Sequence, residues 1–216
     1  MRHSDDPIQI LFQDQNFVVV EKPPGISIHN NEDPLNLLKV LGEQLQLAKL
    51  FPVHRLDKET SGIQILALNE AHARKLADEF QTRAVKKIYH GLLRGELKSK
   101  AGQWNQSLTD KAEGRRQPAG QNPDRIACET RWSVEQASQY FSLCRFDLIT
   151  GRQHQIRKHA AMANHPIVGD SRYGDPRYNQ KIAELHKIER MLLHCSEVEI
   201  LRQTFTSPVP EAFRLI

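Results

Sequence analysis

No apolar run in this chain approaches the roughly 20 residues needed to span a bilayer. The longest candidate, within Ile63 to Leu68, has strand length, so no membrane partner is expected. Cysteine is scarce: Cys128, Cys144 and Cys195 are odd in number and far apart. They offer neither a disulfide framework nor a paired metal-binding spacing. The opening "MRHSDDPIQI" places two acids before any apolar stretch, unlike a secretory leader. Free thiols without a leader fit a reducing cytoplasm, which is the expected location. Phosphate-cradling G-x-x-x-x-G-K-[ST], dinucleotide-type G-x-G-x-x-G and the G-x-S-x-G elbow are all missing. The ten histidines contain no H-E-x-x-H, and His154 and His159 lack the i, i+4 spacing that would put two imidazoles on one helical face. His165 adds no recognisable pattern. No metal is therefore expected. There is no repeat, no low-complexity segment and no linker-like gap, so residues 1–216 read as one domain; a monomer is expected.

What is present suits a folded globular chain. With 216 residues, 39% of them hydrophobic, a sizeable core is available. The formal charge is only +4, a weak pointer to an anionic partner. Its distribution says more. Basic residues gather at Lys86 and Lys87, between Lys111 and Arg116, and at Arg152, Arg157 and Lys158. A solvated basic face and a polyanion-binding face both fit this clustering.

Hydrophobic patterning gives the order of elements. Ile8 to Phe12 and Phe17 to Glu21 flank the turn "QDQN" and read as a hairpin. "KPPG" at 22–25 interrupts regular structure. Asp33-Pro34 resembles a helix start, with Leu35, Leu38, Leu41 and Leu45 following at helical spacing. Ile63 to Leu68 is a buried strand. Asn69 caps a helix whose stripe is Ala73, Leu76, Ala77 and Phe80. Lys86 to Arg94 is a strand, and Leu108 to Arg125 is a polar loop rich in turn formers. Two strands, Ala127 to Val134 and Tyr140 to Ile149, precede a helix that begins after "TGRQ". A strand near Leu192 to Leu201 closes the series. Strands outnumber helices and short turns join them, so the expected class is α+β with a mixed, mostly antiparallel sheet and flanking helices.

The segment "HRLDKETSG" at 54–62 places the carboxylate of Asp57 between a basic pair and small polar residues. Local physics alone makes Asp57 a turn or cap residue. Three further segments accompany it: "VVVEKPPGISIH" at 18–29, "KKIYHGLLRG" at 86–95, and "GRQHQIRKH" at 151–159 followed by "HPIVGDSRYG" at 165–174. In this order they resemble the RluA group of the RsuA/RluA family of RNA pseudouridine synthases. The H-R-L-D-x-x-T-S-G signature is complete, and the resemblance runs from about Ile8 to Leu201. "HPIVGDSRYGDPRYN" is somewhat nearer to the tRNA-modifying TruC-like branch.

The resemblance implies isomerisation of a uridine in tRNA or rRNA to its C-glycoside, without cofactor or metal. It makes Asp57 the catalytic carboxylate, acting on the sugar either as a nucleophile or as a base that leads to a glycal. It makes Arg157 the cation that keeps Asp57 ionised, and Tyr89 the ring that stacks on the extruded uracil and could take the carbon 5 proton. Leu193 packs beneath the base. Arg55 fills the space that the flipped base leaves, since flipping costs a few kcal/mol that protein contacts must offset. Lys22, Arg152 and Lys158 become contacts to RNA phosphates. Two other readings compete. A catalytically silent RNA-binding protein on the same fold is opposed by intact Asp57, Tyr89 and Arg157. A histidine-rich metalloenzyme would be separated by metal analysis.

Overall fold

A computed structural model describes residues 7–28, 33 and 36–215. The fold is α+β, and the chain falls into two compact units: residues 1–85 with 195–207, and residues 86–194 with 208–216.

The first unit begins with β1 (Gln9–Gln13) and β2 (Phe17–Lys22), antiparallel as the apolar runs require. Asp14 shapes their turn: its Oδ1 accepts from the amides of Asn16 and Phe17 at 2.7 and 2.8 Å. The helix α1 (Leu37–Leu45) buries Leu37 and Leu41. Its cap is Asn36, whose side chain accepts from the Leu38 amide. The expected start at Asp33-Pro34 thus moves inward; Pro34 and Leu35 lie outside the described residues. Next come the two-residue β3 (Phe51–Pro52), β4 (Ser61–Ala67) and α2 (Glu70–Gln81). Asn69 caps α2 through His72, and Leu76 is the fully buried member of the expected stripe. β2 and β3 both pair antiparallel with β4.

β9 (Leu193–Ile200) starts in the second unit and continues in the first, where it neighbours β4 and pairs with β10 (Gln203–Thr206). Gly62, at φ +113°, permits that approach to β4. A Cβ there would lie 2.2 Å from the Cys195 carbonyl oxygen, which no side chain tolerates.

The second unit is ordered β5 (Lys86–Arg94), β8 (Phe141–Leu148), β7 (Thr130–Ala137), β6 (Ala101–Trp104), with antiparallel neighbours. Two helices follow, α3 (Gln155–Met162) and α4 (Pro176–His186). Leu92, Phe141, Leu143, Val168, Ile182 and Leu192 form a core with Phe213. β3, β6, β10 and α4 extend the element order read from sequence. The 108–125 segment is a loop closed by a Leu108↔Ile126 bridge. No described helix is long and apolar enough to cross a membrane.

Candidate active site

Asp57 lies in the loop between β3 and β4 and is half-buried, with Arg55 exposed two residues earlier. A turn forms at Asp57, whose carbonyl accepts from the Thr60 amide at 3.1 Å. The main chain on its far side is pinned by the 22–25 segment. The Lys58 carbonyl accepts from Lys22 Nζ at 3.0 Å and from the Gly25 amide at 2.8 Å. Lys22 Nζ also donates to the carbonyls of Pro23 and Ile26, at 2.9 and 3.1 Å, and its side chain is fully buried. An ammonium held by three carbonyls out of solvent is placed to fix a loop, not to meet a phosphate. The expected phosphate contact at Lys22 is corrected accordingly.

Tyr89 and Leu193 occupy the second unit. On β5, Tyr89 sits opposite Phe146 of β8 and is almost fully buried. Side chains alternate along a strand, so Tyr89 and Gly91 share a face. A Cβ at Gly91 would meet Phe146 Cε2 at 3.0 Å, Ile167 Cδ1 at 3.2 Å and Leu193 Cδ1 at 3.3 Å. The absent side chain at 91 is thus what admits Leu193 to the face that carries Tyr89.

α3 carries an unusual load of buried polar groups. Arg157 is 2% exposed, and its Nε and Nη2 donate to Asp170 Oδ2 and Oδ1 at 2.8 and 2.9 Å. Asp170 is fully buried and also accepts from the amides of Arg172 and Tyr173 at 2.9 and 3.0 Å. Burial alone would raise its pKa. The Arg157 hydrogen bonds and charge, with the two amides, outweigh that and hold the carboxyl below its ordinary value. The Arg157 guanidinium carbon lies 5.3 Å from the centre of the Tyr173 ring, and the Tyr173 hydroxyl lies 3.0 Å from His154 Nδ1. Asp170 and Tyr173 are functional candidates that the sequence reading passed over, although "GDSRYG" contains both.

Lys158 is also buried, with Nζ donating to the Thr109 carbonyl at 2.7 Å. It ties α3 to the 108–125 loop, so its expected phosphate contact is corrected in the same way. His159 is buried. Its Nε2 lies 3.0 Å from the Gln106 carbonyl and its Nδ1 3.0 Å from Thr130 Oγ1. Burial, reinforced by the charge of Lys158, holds its pKa below the usual imidazole value despite the bond to Gln106. Gln155 completes this packing: its amide donates to the Glu129 carbonyl and Thr130 Oγ1, and its Oε1 accepts from Thr150 and the Arg152 amide. Arg152 remains accessible at 30%, with a loose 3.8 Å contact to Asp110. His154, His159 and His165 turn to separate partners, the last to the Arg94 carbonyl. Among the described residues no three His, Cys, Asp or Glu side chains gather as metal ligands would.

Residues 16–162 match the family model described as RNA pseudouridylate synthase. The tRNA pseudouridine synthase C of Salmonella typhimurium is 31% identical over 210 residues, covering 89% of this chain and 80% of that protein. The ribosomal large subunit pseudouridine synthase C of Pasteurella multocida is 33% identical over 204 residues. That match covers 88% of this chain and 59% of the relative's length. The structure titled human RNA pseudouridylate synthase domain containing 4 superposes with a TM-score of 0.79 at 24% identity. It covers 95% of this chain and 90% of its own, and shows the shared fold. The chain belongs to the RNA pseudouridylate synthase family, and it is an isomerase.

Proposed function

We propose that this chain converts a specific uridine of tRNA or rRNA to pseudouridine, with Asp57 as the catalytic carboxylate. The observation that carries the reading is the complete 54–62 signature in a loop that presents Asp57 at the surface while its main chain is pinned by Lys22 and Gly25. The reaction breaks the bond from uracil N1 to the sugar, turns the base, and joins carbon 5 to the same sugar carbon, with carbon 5 losing a proton and N1 gaining one. Asp57 acts on the sugar as a nucleophile or as a base. Tyr89 lies beside the detached base, with Leu193 on the same face, and takes the carbon 5 proton. In this reading Arg157, held by Asp170, is the positive partner of the catalytic carboxylate. Arg55 is exposed and its planar guanidinium suits stacking in the space a flipped base leaves.

Of the three residues expected at phosphates, Arg152 alone offers an accessible cation, and it carries the backbone contact in this reading. The two units serve one catalytic domain, which acts as a monomer in the cytoplasm. The relatives include both a tRNA and a ribosomal large subunit enzyme, so the substrate class in this reading is tRNA or rRNA. Pseudouridine mapping of total RNA by carbodiimide modification and primer extension tests the proposal. A strain without the gene should lack one stop, restored by the wild-type gene but not by Asp57→Asn. An unchanged map would remove the assigned activity.

A further inference from the structure

The loop that presents Arg55 and Asp57 is locked to β4 by side chains where the β-ladder stops. β3 pairs with β4 through Phe51↔Ala67 and Pro52↔Leu66, and the chain then leaves the ladder. Just beyond, the Ile65 amide donates to His54 Nε2 at 2.9 Å. Gln64, between Ile63 and Ile65 of β4, is fully buried. Its Nε2 donates to the His54 carbonyl at 2.9 Å and to the Ile65 carbonyl at 3.1 Å. Its Oε1 accepts from the Leu56 amide at 3.3 Å. One buried amide therefore grips the main chain on both sides of Arg55, immediately before Asp57. The His54 ring stacks on Phe80 of α2, with centroids 4.6 Å apart and planes 20° apart.

A buried primary amide is costly unless its donors and acceptor are satisfied. Here the loop's own main chain supplies partners, so burial of Gln64 is coupled to one shape of the loop. An aliphatic residue would fill the site without that coupling. The Ile65 donor likewise requires a lone pair on His54 Nε2, which places the hydrogen of the neutral ring on Nδ1.

We propose that Gln64 and His54 are positioning residues, a clasp that sets the directions of Arg55 and Asp57 for the isomerisation. The inference rests on Asp57 being the catalytic carboxylate. Neither clasp residue touches the substrate in this scheme. Their effect comes through geometry, where a shift of about 1 Å costs on the order of a hundredfold in rate.

The test uses the full chain and RNA from cells lacking its gene, labelled with tritium at uridine carbon 5. Tritium release is followed in single turnover with enzyme in excess. Gln64→Leu should slow the rate at saturating enzyme on the order of tenfold to a hundredfold, with the half-saturating concentration unchanged. His54→Leu should behave alike. His54→Gln, which keeps an acceptor for the Ile65 amide, should recover most of the rate. Wild-type rates in both leucine variants overturn the clasp, as does a loss that only tracks the folded fraction seen by circular dichroism. If Gln64→Leu does not fold, the two His54 variants decide: equal rates for His54→Gln and His54→Leu overturn it. Asp57→Asn on the same RNA separates the two layers. Normal release there removes the reading of Asp57, and the clasp with it. Silence there, beside fast leucine variants, removes the clasp alone.

Discussion

Replacing Asp170 by Asn tests the electrostatic centre of the second unit. The two side chains are nearly isosteric, so no cavity is made and the loss is one of charge and hydrogen bonding. In the native structure both Asp170 oxygens accept from Arg157, and Oδ1 also takes the amides of Arg172 and Tyr173. An Asn can present only one acceptor oxygen and turns an NH2 toward a guanidinium that also donates. Both partners are almost completely buried, at 2% and 0% exposure, so solvent screens little of the change. Breaking such a pair costs about 3–5 kcal/mol. For a chain of this size each kcal/mol moves Tm by roughly 2–4 °C, so the melting point should fall by about 6–20 °C.

The pH dependence supplies a second arm. The Asp170 carboxyl titrates below its unfolded value of about 3.9 in the folded protein. Its contribution is therefore complete above the unfolded value and disappears as pH falls through the lower folded value. Urea unfolding of wild type and Asp170→Asn should show a constant gap from neutral pH down to about pH 5, closing below about pH 4. A gap under about 1 kcal/mol at neutral pH, or one that stays constant into strong acid, refutes the buried pair as a source of stability.

Three further outcomes are expected. All three cysteines are buried, Cys144 with its thiol pushed up to about 12 by burial and the charge of Glu135 and Cys128 raised chiefly by burial; the native protein should be inert to Ellman's reagent at mildly alkaline pH and release three thiol equivalents in guanidinium. His159 is held neutral in the fold, so wild-type stability should decline as pH drops from about 6.5 toward its lowered folded value; His159→Gln should remove that decline, and an identical slope in urea titrations counts against it. Arg152→Gln should reduce the salt slope of RNA binding by about one phosphate contact with release at saturating RNA intact; an unchanged slope removes Arg152 from the interface.

The sequence made most strands legible because apolar runs of strand length announce themselves. Asn69 and the stripe ending at Phe80 located α2 for the corresponding helical reason. α4 escaped notice although Asp175-Pro176 is the same start signal read at Asp33-Pro34. Asp175 caps it by accepting from Arg177 and Tyr178. The helix buries only Ile182 and leaves Leu185 64% exposed, so its apolar stripe is too thin to stand out. β6 and β10 have four residues each, among polar neighbours. In the candidate site, Asp57 became legible through its signature, since an isolated Asp in a turn carries little information. Lys22 and Lys158 misled because lysine ordinarily keeps its ammonium in water. Their burial depends on carbonyls brought from other parts of the chain, Lys58 for one and Thr109 for the other. Asp170 was hidden for a related reason: only the fold shows that its partner is Arg157, 13 positions away.

Asp57→Asn tests the central claim most directly. The amide preserves size but is a poor nucleophile and a poor base. With RNA labelled with tritium at uridine carbon 5, the variant should release no tritium above background while binding RNA and melting as wild type does. Release within about tenfold of wild type, a barrier change of only about 1.4 kcal/mol, would contradict the assignment of Asp57 as the catalytic carboxylate.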